Sequence, residues 1–146
     1  MTPDDRPSVL LVEDNLGDVM LIRTSFKKDK ILCHLSVVHD GQEALDFLQR
    51  KPPYEKSPPV DLILLDLNMP KMNGTEFLDA VKHDDVLKRI PVVVLTSSDA
   101  EIDILKSYES GASAYITKPS GSESMEAIVK SISLFWLKAV HLPPSA

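Results

Sequence analysis

Glu13, Asp14, Asp66, Thr96 and Lys118 are scattered along the chain, yet each stands at the end of a short apolar run. Glu13 and Asp14 follow VLLV. Asp66 follows LILL, Thr96 closes VVVLT, and Lys118 comes after AYIT. A carboxylate at such a place is costly unless something needs it. As a set, the residues suit phosphoryl transfer. An aspartate can attack phosphorus and form an acyl phosphate. The reaction otherwise asks for positioning and for positive charge around the transferring oxygens. Lys118 offers a compact ammonium, and the Thr96 hydroxyl can hydrogen-bond one phosphoryl oxygen. The chain has neither GxxxxGK[ST] nor GxGxxG, so the donor of the group must come from elsewhere.

The elements that position these residues follow from periodicity. Apolar runs at Val9 to Val12, Ile31 to Val38, Val60 to Leu65, Pro91 to Leu95 and Ala112 to Ile116 read as strands. Between them lie residues at helical spacing: Val19, Ile22 and Phe26; Ala44, Leu45, Phe47 and Leu48; Phe77, Leu78 and Val81; Ile102, Leu105 and Tyr108. Five strand–helix units predict an α/β fold, a doubly wound parallel sheet of flavodoxin-like (βα)5 type. With strand order 2-1-3-4-5, strands one and three are central neighbours. Glu13, Asp14 and Asp66 then crowd one pocket. Two like charges about 4 Å apart repel by about 4 kcal/mol at an effective dielectric of about 20. A hard divalent cation relieves this, and Mg2+ is the expected ion. Asp14, Asp66 and the Asn68 carbonyl would bind it, with Glu13 on a metal-bound water.

Bulk properties narrow the function. The 146 residues are 43% hydrophobic and 26% charged, which fits one globular domain of 1–146, with its core at about 8–132. A net charge of −6 argues against direct nucleic-acid binding, and no apolar run is long enough for a membrane helix. The polar, acidic start MTPDDRPS is no signal peptide, and Cys33 is the lone cysteine, so a cytoplasmic location is expected. KPPYEKSPPV at 51–60 reads as a stiff surface loop.

VEDN at 12–15, LLDLNMPKMNG at 64–74, VVVLTSS at 92–98 and YITKP at 115–119 resemble the receiver domain of two-component response regulators, the CheY-like family. The resemblance implies a signalling phosphoprotein rather than an enzyme, with self-catalysed transfer and slow autodephosphorylation. It implies Asp66 as phosphoacceptor, Mg2+ on Asp14, Asp66 and Asn68, and a sensor histidine kinase as partner. It also implies Thr96 as the switch hydroxyl, Tyr115 as the switch aromatic, and a cis bond between Lys118 and Pro119. Glu13 stands where relatives often carry Asp.

Two rivals share the topology. A flavin module would need a Ser, Thr and Gly cradle where VEDNLGD has acids. A haloacid-dehalogenase-like phosphatase would keep a second carboxylate where Asn68 stands. The chain continues about 133–146 as an extended C-terminal helix. Its expected core stripe is Met125, Ile128, Val129, Ile132, Phe135, Trp136 and Ala139, with Leu134 and Leu137 off it. Apolar residues on a second side suggest a homodimer through Leu134, Phe135, Trp136 and Leu137. This extension and the 51–60 segment look like the small regulators paired with bacterial phytochrome kinases.

Overall fold

The structure, a computed structural model, describes residues 6–120 and 122–144. The acidic residues 1–5 and the last two of the extension lie outside the described residues. Five parallel strands run β1 Ser8–Val12, β2 His34–Val38, β3 Leu62–Leu65, β4 Val92–Thr96 and β5 Ala114–Thr117. Their order is β2-β1-β3-β4-β5, as the sequence predicts. The three inner strands, SVLLV, LILL and VVVLT, are buried throughout, because helices cover both of their faces.

Alternate strand residues feed two cores. Leu10, Val12, Ile63, Leu65 and Val94 point toward α2 (Gly41–Leu48) and α3 (Gly74–Lys82), where Phe47, Phe77 and Leu78 meet them. Val9, Leu11, Leu62, Leu64 and Leu95 point the other way. They meet Val19, Ile22 and Phe26 of α1 (Leu16–Lys28) and Met125, Val129 and Ile132 of α5 (Ser122–Ile132). Helix starts are set by polar caps. Asn15 caps α1, Asp40 caps α2, and Asn73 forms a reciprocal capping box with Glu76 on α3. Asp14 is therefore not spent as a cap.

Two expectations need correction. Ile102, Leu105 and Tyr108 of α4 (Glu101–Glu109) face solvent, Leu105 at 56% exposure, and the buried residue of that helix is Ser107. The helix packs against the edge strand β5 and α3, where little sheet remains to be covered. The C-terminal stripe also shifts. Residues Ser133–Ala139 form a π-helical stretch, whose wider turns rotate the later side chains away from their α-helical positions. Phe135 is thereby 55% exposed beside exposed Leu134, and Ala139 is exposed. Leu137 joins Trp136 against the α1–α5 core instead. The 51–60 segment is largely exposed, as expected, but it is pinned. The Tyr54 hydroxyl donates to Glu43 at 3.0 Å, and its ring lies 5.2 Å from that of Phe47.

Gly74 shows how tightly the β3–α3 connection is drawn. A Cβ there would stand 2.6 Å from Leu67 Cα and 2.7 Å from the Asp66 carbonyl oxygen, both backbone atoms. Gly74→Ala is expected to destabilise the domain by about 1–3 kcal/mol, as overpacking does. Urea unfolding measures it; an unchanged midpoint would show that the loop around Asp66 yields freely.

Candidate functional site

Strand register assembles the site. Val12 pairs with Leu65 across β1 and β3, so the next residues, Glu13 and Asp66, emerge side by side. Their backbones stay in the ladder: Glu13 N–H donates to Val38 O and Asp66 N–H to Val12 O, both at 3.0 Å. Oxygens of Glu13, Asp14 and Asp66 lie within 4.8 Å of one another. Glu13 and Asp66 are buried, whereas Asp14 is exposed. The pairing of Thr96 with Thr117 puts Lys118 one step beyond Thr96, and Lys118 N–H donates to Thr96 O at 2.7 Å. All five residues picked from the sequence therefore converge at the carboxyl end of the sheet.

Lys118 is what makes the crowded acids tolerable. Its Nζ donates to Glu13 Oε1 and to Asp18 Oδ2, the latter at 2.8 Å, and lies 3.7 Å from Asp66 Oδ2. Burial alone would lower its pKa, but the hydrogen bonds to Asp18 and Glu13 and the nearby charges carry it upward. Burial pushes the Glu13 pKa up to about 7. The Asp66 charge adds to this, while the Lys118 hydrogen bond pulls it back. Asp18 is not legible in the sequence as a site residue. Its one signal is an acid in the first turn of α1.

Two buried atoms in the site have no hydrogen-bond partner among the described residues. They are Asp66 Oδ1 and Thr96 Oγ1. A buried polar atom left so costs about 1–3 kcal/mol. With three oxygen donors converging, the orphaned carboxylate oxygen fits a hard divalent cation. Asn68 is exposed and lines, with Asp14, Leu67, Met69 and Asn73, a cleft of about 500 Å3 that opens beside Asp66.

The remaining expectations fall around this centre. Tyr115 is half-buried, and its hydroxyl donates to the Ser98 carbonyl at 2.8 Å; burial raises its pKa. Its N–H donates to the Tyr108 hydroxyl at 3.1 Å. Lys118–Pro119 is not cis; among the described residues the cis bond is Pro52–Pro53. The trans preference at proline is only about 0.5–1 kcal/mol, so surroundings decide, and here Lys118 is tied to Thr96, Glu13 and Asp18. Leu134, Phe135, Trp136 and Leu137 come after α5 has run back from β5, so they sit at the other end of the domain. Sequence reasoning also passes over Ser98 and Asp103. Ser98 Oγ donates to Asp103 Oδ2 at 2.6 Å, and Asp103 lines the same cleft as Asp14.

The comparisons agree with this geometry. A family profile described as "Response regulator receiver domain" matches residues 9–130. Response regulator Rcp1 of Synechocystis sp. is 44% identical over 135 residues, covering 92% of this chain and 92% of that one. The structure of the phosphorylated cyanobacterial phytochrome response regulator RcpA matches with a TM-score of 0.91 at 42% identity, covering 95% of this chain and 99% of the other. The Mn2+-bound form of Rcp1 matches with a TM-score of 0.89 at 43% identity, covering 94% and 99%. These matches favour neither the flavin module nor the phosphatase. No described helix is long and apolar enough to cross a membrane.

The raised Glu13 pKa has a signed consequence. Between about pH 4.5 and 7 the folded domain holds a proton on Glu13 that the unfolded chain has released. That contribution to metal-free stability is present below pH 4.5 and is lost as pH rises through about 7. A cation held by Glu13, Asp14 and Asp66 would displace the proton. Calorimetric titration with a divalent cation in buffers of different ionisation enthalpy should show proton release at about pH 6 and little at about pH 8.5. Release of equal size at both pH values, or in Glu13→Gln, would assign the proton elsewhere.

Proposed function

This chain belongs to the response regulator receiver domain family, and we propose that it accepts a phosphoryl group on Asp66 from a phosphohistidine of a sensor histidine kinase. Receiver domains take phosphoryl groups from such kinases, and the chain is a signalling protein of two-component type. The observation that carries the residue assignment is the orphaned Asp66 Oδ1. It is buried, unpartnered among the described residues and beside the cleft at the carboxyl end of β3.

In this reading the Asp66 oxygen attacks phosphorus as the phosphorus–nitrogen bond of the donor breaks. The electron pair stays with the imidazole, and an acyl phosphate forms. Glu13, Asp14, Asp66 and the Asn68 carbonyl would hold Mg2+. When bound, that ion supplies positive charge to the phosphoryl oxygens. Lys118 then exchanges part of its hold on Glu13 and Asp18 for a phosphoryl oxygen. Its ammonium needs to travel little, being 3.7 Å from Asp66 already. Thr96 donates its hydroxyl to a second oxygen, which gives its unpartnered Oγ1 a role. Ser98 lies two residues beyond and holds Tyr115, so movement of Thr96 is passed to β5 and α4. The new charge of about −1.5 to −2 biases an existing two-state equilibrium rather than creating a new fold.

RcpA is described as a cyanobacterial phytochrome response regulator, and the likeness at 42% identity supports a phytochrome-type donor for this chain too. The setting would be cytoplasmic. Self-association would use the exposed Leu134 and Phe135, with Trp136 and Leu137 backing them from the core.

Acetyl phosphate with Mg2+ should add one phosphoryl group to the wild type and none to Asp66→Asn, read by intact mass. Lys118→Ala should still bind the cation but lose the phosphorylation-dependent change in its NMR spectrum. Labelling of Asp66→Asn would move the nucleophile elsewhere, and an unchanged response in Lys118→Ala would remove the lysine from the switch. Phe135→Asp should lower the sedimentation-derived mass to that of a monomer without altering phosphoryl uptake. An unaltered dimer in that variant would place the interface elsewhere, and a monomeric wild type would end the proposal.

A further inference from the structure

Asp103 enters the site from α4. It occupies the third helical position, where an acid usually turns back to cap its own helix. Here it does not. Ala100, at the cap position, offers no side-chain hydrogen bond, and Ser98 Oγ takes the Ala100 N–H at 3.3 Å. The Ser98 hydroxyl in turn donates to Asp103 Oδ2 at 2.6 Å. One carboxylate oxygen is thus spent on holding Asp103 in place. The residue is half-buried and lines the cleft that also exposes Asp14, Leu67 and Asn68. Among the residues lining that cleft, the carboxylates are Asp14 and Asp103. Asp14 belongs to the cation cluster, and Glu13 is tied to Lys118. Asp103 is the acid there with no such duty.

We propose that Asp103 orients, and takes the proton from, the water that hydrolyses the Asp66 acyl phosphate. This rests on Asp66 being the phosphoacceptor. Asp66 is only 5% exposed, and the cleft begins at the residues that follow it, Leu67 and Asn68, which is the route this reading gives the water. The water oxygen bonds to phosphorus as the phosphorus–oxygen bond to Asp66 breaks. The electron pair returns to the Asp66 carboxylate. The water proton passes to Asp103 and on to solvent, and inorganic phosphate leaves. A fixed acceptor in the wall of the cleft would order that water in advance. The lifetime of the phosphorylated state is then set by α4, the helix whose start is tied through Ser98 to the same site.

The test loads each protein with acetyl phosphate and Mg2+, removes the donor by desalting, and follows the acyl phosphate by gel mobility. Asp103→Ala is expected to lose phosphate about tenfold more slowly than wild type. Asp103→Asn keeps an acceptor for the Ser98 hydroxyl but cannot take a proton, and it is expected to be slowed as well. Ser98→Ala keeps the carboxylate but loosens it, so its rate should fall between those of wild type and Asp103→Ala. Equal slowing in Ser98→Ala and Asp103→Ala, with Asp103→Asn normal, would show a purely structural role and overturn the proposal. Unchanged or faster loss in both Asp103 variants would overturn it too. A wild type that takes up no phosphoryl group overturns both this proposal and the phosphoacceptor reading. Normal uptake with unaltered decay overturns this one alone.

Discussion

The neighbouring of β1 and β3 forces carboxylates together, and the rest of the site answers that repulsion. Glu13 and Asp66 emerge from paired strand ends, with oxygens of Asp14 close by, all within 4.8 Å. The ladder fixes where both strands end, so the crowding is built into the backbone at Glu13 and Asp66. The resident compensation is Lys118, delivered from β5 across two strands and clamped by Glu13 and Asp18. The ammonium sits closer to those two acids than to Asp66. It therefore neutralises the pocket without occupying the face of Asp66 that is left unpartnered. The arrangement keeps one carboxylate oxygen available and one lysine transferable.

The same logic extends outward along β4. Thr96 is fully buried with its hydroxyl unpartnered among the described residues, at the same end of the sheet as Asp66. A hydroxyl in that condition gains more from a new acceptor than an already bonded one, because its burial cost has been met. In the proposed switch, movement of Thr96 would not stay local. Ser98 is gripped on both sides, by Asp103 through its side chain and by Tyr115 through its carbonyl. Tyr115 holds Tyr108 through its own backbone. The chain of bonds links the carboxyl end of β4 to the outer face of α4 within a few residues.

The strands and the residues at their ends are legible in the sequence for a physical reason. Unbroken apolar runs mark strands buried on both faces, and the first polar residue after each run lies at the ligand edge of a parallel sheet. Glu13, Asp66 and Thr96 announce themselves in this way, and Asp14 and Lys118 stand one residue further on. Asp18 and Asp103 do not, because they reach the site from helices. Where a helical side chain lands depends on how the helix packs, and Asp18 reads locally as an ordinary acid in a first turn. The departures in α4 and in the C-terminal extension share a cause. Spacing at about 100° per residue identifies an apolar stripe but not whether it faces inward. In α4 the stripe turns outward, and the π-helical stretch replaces Phe135 by Leu137 at the core. The isomer of the Lys118–Pro119 bond is hidden from the sequence because so small an energy separates the two forms that tertiary contacts choose between them.

Helix α4 is weakly anchored in its own right, and that suits it to report on the site. It buries Ser107 rather than a large apolar residue, and it has no side-chain cap of its own. Its start is held by Ser98, and its outer face reaches β5 through the Tyr108 hydroxyl. An element with little buried apolar surface opens or shifts at low cost compared with one that is packed throughout. α1, α3 and α5, each anchored by several buried apolar side chains, do not have that freedom. In the proposed switch, a charge change at Asp66 would work against the bonds of Ser98, which tie it to Asp103, Ala100 and Tyr115. The helix with the exposed Ile102, Leu105 and Tyr108 is therefore where the proposed switch would turn a change in charge at the strand ends into a change in surface.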